Sequence, residues 1–315
     1  MLGRTAASLF WMSRYIERAE NIARLAEVGY RISLTPDIGI GHREDWKSTL
    51  IAAGCYEDYL ARHTEIKPEK VKHFLLFDRD NPSSVRSCLE TARNNARAVR
   101  TALTREMWEA LNSTYIDFAS VKPADLGSGK LPEFLDWVRQ RSALFRGSML
   151  GTLLRDEGFH FSQLGAFIER ADNTARILDV KYYVLLPTNE TVGSDIDAFQ
   201  WETILRSVSA HRSYRHVYKD RYRPWNVAEF LILRPEMPRS FCFCYGWIER
   251  SLEGLSDMIG KPMPSLLEAR GILQDLKNGH MDAIFQSGLH EFLIEFLKRN
   301  NTVSAHIADD YHFLS

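Results

Sequence analysis

The sequence predicts an all-α protein, a tandem-duplicated helical bundle. Its two related units, residues 1–155 and 156–315, pack about a pseudo-two-fold axis and can close into one compact domain. Three observations predict this. Tyr15 to Tyr30 aligns with Phe167 to Tyr182 at an offset of 152, with nine of sixteen positions identical. Further matches follow in the same order: Trp46 with Trp201, Pro68-x-x-Val71-x-x-Phe74-Leu75 with Pro224-x-x-Val227-x-x-Phe230-Leu231, and Pro82-x-Ser84 with Pro238-x-Ser240. An ordered series of matches at a nearly constant offset is the mark of a repeated unit. Finally, the apolar residues recur at spacings of three and four, and no Asn-Gly or Asp-Gly hairpin signal occurs.

The elements justify themselves in order. Leu9, Met12, Ile16, Ala19, Ala23 and Ala26 share one face of a first long helix. Pro68 suits a first helical position, with Val71, Phe74 and Leu75 inward. Pro82 is read as opening the next helix, over Val85, Cys88, Leu89 and Ala92. Leu131-Pro132 starts another, with Phe134, Leu135, Val138 and Leu144 apolar. Asp195 to about Tyr218 reads as helical, as does Leu289 to His312. Lys181–Leu186 and Phe241–Tyr245 are rich in aromatic or branched residues, but their register in the repeat assigns them to helix interior. Loops are expected at Thr35–Gly41, Val121–Lys130, Pro187–Ser194 and Gly260–Pro264.

Composition excludes several classes. The 315 residues carry 40 Lys+Arg against 41 Asp+Glu, a net charge of −1, with 45% hydrophobic residues. That is globular composition, and a general nucleic-acid binder would show a basic excess. No run of about 18 apolar residues exists to span a membrane. The first residues lack the apolar core of a signal peptide, so a cytoplasmic protein is expected. Four cysteines, Cys55, Cys88, Cys242 and Cys244, are too sparse for a disulfide scaffold. They are read as buried apolar residues, with no metal site and no cofactor expected.

The best candidate site is a charged stripe. Glu17, Asn21 and Arg24 recur as Glu169, Asn173 and Arg176, and again as Glu90, Asn94 and Arg97. Positions i, i+4 and i+7 lie within about 60° on a helix, so each set forms one rib. Arg18 and Arg170 project about 100° away, which suggests that the Glu and Arg of each dipeptide face different neighbours. Glu20–Arg24 and Asp172–Arg176 are further acid-before-base pairs at i, i+4. The ribs can form structural cross-helix ion pairs. They can also line a cleft of carboxylates and guanidiniums suited to an anionic or peptide-like group. Weaker signals stand beside them. Gly127-Ser-Gly129-Lys130 lacks the rest of a phosphate loop. Glu157-x-x-His160 and Asp309-x-x-His312 have the spacing of di-metal bundles. His211 to Trp225 is basic with interleaved aromatics.

These motifs resemble the alpha-E family, a bacterial α-helical family with a Glu-Arg motif. The resemblance rests on Met1-Leu2-Gly3-Arg4-Thr5-Ala6, Phe10-Trp11-Met12, Arg14 to Arg24, Phe167 to Asn173 and Pro82-Ser83-Ser84. The family's motif maps to Glu17, Arg18, Glu169 and Arg170. The resemblance implies partners, a circularly permuted ATP-grasp protein and a transglutaminase-like protease, in a system that makes or modifies a peptide by amide ligation. The expected role is an accessory or binding protein. Two alternatives stay open: an enzyme acting on a peptide or amide through Glu17 or Glu169, and a di-metal carboxylate bundle.

Overall fold

The computed structural model describes residues 1–34, 41–126, 129–184, 195–219 and 221–313. Among these residues every regular element is helical. The first half holds α1 (Gly3–Ser33), α2 (Gly41–Ala52), α3 (Tyr56–Leu60), α4 (Pro68–Leu76), α5 (Val85–Ala98), α6 (Arg105–Ser120) and α7 (Leu131–Thr152). The second holds α8 (Glu157–Val184), α9 (Asp195–Ser207), α10 (His211–Tyr218), α11 (Pro224–Ile232), α12 (Phe241–Ile259), α13 (Pro264–Asn278), α14 (Met281–Ser287) and α15 (Leu289–Asp310). No described helix is long and apolar enough to cross a membrane.

The long helices α1 and α8 pack directly on each other and form the spine. A β-carbon at Gly165 would collide with the carbonyl of Phe10, so glycine is what permits this close crossing. Around α1 lie α5 and α7; around α8 lie α12 and α15. α2 and α9 each touch both spine helices. Matched residues do matched work. Trp46 on α2 and Trp201 on α9 are both buried. Pro68 and Pro224 each open a helix, where a missing N–H is harmless. Ser84 and Ser240 cap α5 and α12, accepting from the backbone N–H of Ser87 (3.1 Å) and Phe243 (3.0 Å). The larger apolar cluster draws on both halves, from Ala6 to Phe313; the smaller lies within residues 19–138.

Several boundaries differ from the sequence reading. α5 begins at Val85, because Pro82 and Ser83 form a turn in which the Asn81 side chain accepts from Ser83 N–H. The stretch 195–218 is two helices. It breaks at Ser209, whose φ of 58° is left-handed, where Arg24 inserts between the Ser207 carbonyl and the Ser209 hydroxyl. Pro123–Leu126 forms a short 3-10 turn inside the expected loop. Phe241–Tyr245 is helical, as is Lys181–Val184. Residues 35–40, 127–128 and 185–194, which include most of two expected loops and part of Gly127–Lys130, lie outside the described residues. The first helix is also not one-sided: Ser13, Glu17, Glu20, Asn21, Arg24 and Glu27 are buried as fully as its apolar residues. A helix enclosed on all sides must satisfy its polar groups inside the protein.

Candidate functional site

That satisfaction comes from guanidinium groups. Glu17 on α1 receives Arg170 of α8 through two parallel bonds, Nε at 2.9 Å and Nη2 at 3.0 Å. Glu169 on α8 receives Arg18 of α1 in the same way, at 2.6 and 2.9 Å. The two Glu-Arg dipeptides are therefore crossed, each carboxylate gripped by the other helix's arginine. Fork-to-fork pairing of this kind fixes orientation as well as adding energy. The expectation that Glu17 and Arg18, or Glu169 and Arg170, face different neighbours is corrected here. The flexible arginine stem spans the 100° between adjacent positions, so both groups reach the same facing helix.

The surroundings of the two carboxylates differ. Glu17 also accepts from Arg146 on α7 (3.0 Å) and pairs with Arg239 (3.2 Å). Glu20 beside it is held by Arg24 (2.7 Å), Arg146 and Arg239. Glu169 accepts from Arg14 (2.8 Å), whose Nη1 continues to Ser304. Asp172 pairs with Arg176 one turn along. Burial alone would raise these carboxyl groups, yet the cations win: Glu17 lies below the ordinary range with Arg170 and Arg146 as main causes, and Glu169 falls to about 2 under Arg18 and Arg14. Arg239 shows the opposite strain. Burial, together with the nearby Arg24, pulls its guanidinium down to about 9, and among the described residues its Nη1 has no partner.

The expected ribs separate in space. Asn21 turns to α8, its Nδ2 donating to the Glu169 carbonyl at 3.2 Å, whereas Arg24 turns to Glu20 and the α9–α10 break. Asn173 is buried, and Arg170 and Arg176 stand at the seam. The third copy is elsewhere. Glu90 is half-buried on α5, and Asn94 and Arg97 are exposed, so Glu90, Asn94 and Arg97 line no part of the seam cleft. Helical spacing finds a rib but cannot say which neighbour it meets. Sequence reasoning missed Arg14, Arg146, Ser83 and Arg239 as members of this cluster. Only the offset of 156 between Ser83 and Arg239 could have drawn attention to that last pair.

Beside Glu169 the seam opens into a cavity of about 200 Å³. Arg14, Arg18, Asn21, Glu169, Asp172, Asn173 and Arg176 line it, with Gly54 and Ser83 at its wall. Among the described residues, the buried carbonyl oxygens of Asn21 and Asn173 find no donor. On the other side a wider groove of about 480 Å³ runs past Glu20, Arg24, Arg139 and Arg146 to His211 and Arg212. Carboxylates held ionised by several guanidiniums suit charge recognition. A general acid or base instead needs a pKa near neutrality. All four cysteines are buried and form no disulfide, and burial pushes Cys88 and Cys244 up to about 12. Among the described residues no group of three His, Cys, Asp or Glu side chains is placed to hold a metal.

Fold and seam together define an all-α bundle protein organised around reciprocal Glu–Arg pairs. The chain belongs to the Alpha-E family, whose model describes a predicted alpha-helical domain with a conserved ER motif and matches residues 1–312. No curated protein and no solved structure matches the chain.

Proposed function

We propose that this chain is a cytoplasmic binding component of a bacterial peptide-synthesis or peptide-modification system, acting beside an ATP-grasp-type amide ligase and a transglutaminase-like protease. On this reading the chain arose by duplication of one helical bundle. Its work is to hold a peptide in the seam between the two spine helices, not to transform it. One observation carries the reading: a water-accessible cavity lined by the carboxylates, guanidiniums and amides of both spine helices, two of whose buried carbonyl oxygens have no donor among the described residues. Buried polar groups are normally satisfied, and because Asn21 and Asn173 line the cavity, a ligand held there can supply the missing donors. Co-expression with the ligase and the protease, followed by affinity purification of the full chain, tests the assignment. Stable co-purification that strengthens when peptide is added is the expected result. Absence of association with either enzyme, with and without peptide, overturns it.

A further inference from the structure

The two sides of the seam are built from corresponding positions. Ser83 and Arg239 each precede the N-cap of a helix, α5 or α12, that packs on one spine helix. Both caps have the same extended backbone, near φ −61°, ψ 153° and φ −69°, ψ 157°. Asp172 and Arg176 on α8 correspond to Glu20 and Arg24 on α1. Gly54 and Ser209 follow α2 and α9, and both are left-handed, at φ 67° and 58°. At every one of these positions the side near Glu17 is filled. Arg239 puts its guanidinium on Glu20, and Arg24 spends its Nη1 on the Ser207 carbonyl and the Ser209 hydroxyl. The groove there stops at Glu20, and neither Glu17 nor either asparagine lines it.

Near Glu169 the Asp172–Arg176 pair remains, but the two flanking places are small. Ser83 is short, and Gly54 has no hydroxyl to take Arg176. The bonds of Arg18 to Glu169 use Nε and Nη2, and those of Arg176 to Asp172 use the same atoms. Among the described residues, the Nη1 groups of both arginines have no hydrogen-bond acceptor. Asp172 raises Arg176 overall, and Arg18 is near enough to oppose that rise, so the two cations share one cavity. An anion between them would be bound by both. Deeper in, the carbonyl oxygens of Asn21 and Asn173 require N–H donors, and Asn21 is oriented by its bond to the Glu169 carbonyl. A cavity of about 200 Å³ is smaller than the roughly 300–1,000 Å³ of drug-sized sites, so it admits one or two residues.

We infer that the Glu169 side of the seam is a binding site for the free C-terminal end of a peptide, its carboxylate on Arg18 and Arg176 and its amide N–H on Asn21 or Asn173, and that Arg239 plugs the corresponding place on the Glu17 side. This rests on the peptide-binding reading above and narrows it to one terminus and one half of the seam. Isothermal titration of the full chain with the dipeptide Ala-Ala, with Ala-Ala amide and with inorganic phosphate is the test. Ala-Ala should bind at least tenfold more tightly than either of the others. Ser83→Arg, which copies the Arg239 plug into a turn of the same geometry, should weaken Ala-Ala at least tenfold. If that variant does not fold, Arg176→Lys, which keeps the charge beside Asp172 but loses Nη1, should weaken it similarly. Equal binding of acid and amide removes the terminus claim and leaves a peptide cleft standing. Phosphate binding as tightly as Ala-Ala marks a general anion site and overturns the inference. Ala-Ala binding untouched by Ser83→Arg, or by Arg176→Lys where the first variant does not fold, places the ligand elsewhere. No binding of either peptide form removes both this inference and the peptide part of the proposed function, while co-purification still reports on the partners.

Discussion

Glu17 and Glu169 sit at matching points of two spine helices and share one reciprocal bond pattern, yet their environments diverge. Around Glu17 and Glu20 stand four guanidiniums, from Arg24, Arg146, Arg170 and Arg239, against two carboxylates. Around Glu169 and Asp172 stand three, from Arg14, Arg18 and Arg176. On one side Arg239 and Arg146 cover Glu17, and the groove reaches only Glu20; on the other a cavity opens directly onto Glu169. The difference teaches that the crossed Glu–Arg pairs are the common frame, and that a few flanking side chains decide whether a seam is filled or open. Arg146 lies where the other side has Ser304, and Arg239 where it has Ser83.

The largest effect should come from breaking the frame where it is most enclosed. Glu17→Gln leaves the buried Arg170 without a carboxylate and leaves Arg146 and Arg239 to share Glu20, and breaking a buried pair in this way typically costs about 3–5 kcal/mol. Glu169→Gln also orphans Arg14, which is 8% exposed. It should still cost less, because Arg18 is 24% exposed and both arginines line the cavity, where water can reach them, whereas Arg170 lines neither the cavity nor the groove. Denaturant unfolding of both variants measures the contrast. Equal losses would mean that the two sides are energetically alike and that the difference in enclosure has no consequence.

Acid should act through the same carboxylates. Glu169 has a folded pKa of about 2 against an ordinary 4.5, so its ionised form is favoured by folding. Its contribution is complete above pH 4.5 and is lost as pH falls toward 2, on the order of 3 kcal/mol in full. Glu17 and Glu20 are lowered as well and add loss in the same direction. Thermal melts from pH 7 to pH 2.5 should show stability falling steeply below about pH 4.5. In Glu169→Gln that fall should be shallower. A flat profile in the wild-type chain would show that the seam carboxylates are not held ionised by folding.

How much of this was legible beforehand follows from the physics of each feature. The repeat, the helices and the Glu-Arg dipeptides are written in local spacing, and residues such as Trp46, Trp201, Ser84 and Ser240 behave alike because the local pattern specifies their roles. The crossing of Glu17 to Arg170 and of Glu169 to Arg18 depends on how far a flexible arginine reaches, which angular position on a helix does not encode. Arg14 and Arg146 join the cluster through tertiary packing alone. Glu90, Asn94 and Arg97 carry the same local frame but ride on α5, outside the spine, so an identical pattern gives a solvated face.

A smaller change is expected from removing the plug. Arg239→Ser orphans no carboxylate, since Glu17 keeps Arg170 and Arg146, and Glu20 keeps Arg24 and Arg146. It also removes a cation whose Nη1 is already unsatisfied and whose charge burial disfavours. The expected loss is about 1 kcal/mol, the net contribution of one ordinary hydrogen bond. The shift in denaturant midpoint, set beside that of Glu17→Gln, decides the matter. A loss as large as that of Glu17→Gln would make Arg239 part of the frame rather than a filling of it.

The finest comparison lies under the two crossed arginines. Cys88 on α5 and Cys244 on α12 are both fully enclosed; one feels Arg18, the other Arg170. A nearby guanidinium favours a thiolate, but burial outweighs it at both places and leaves each thiol near 12, so neither supplies a reactive thiolate at neutral pH. The cavity beside Glu169 is not lined by Cys88, which means that its opening does not extend down to the thiol. Labelling of the native chain with a thiol-specific aromatic disulfide, followed by peptide mapping, should find Cys88 and Cys244 equally protected, with modification only on unfolding. Selective reaction at Cys88 would show that water reaches beneath Arg18, and the open side would then be deeper than its lining residues define. Selective reaction at Cys244 would reverse the assignment of which side is sealed, because the plug formed by Arg239 would have to open before the Glu169 side does.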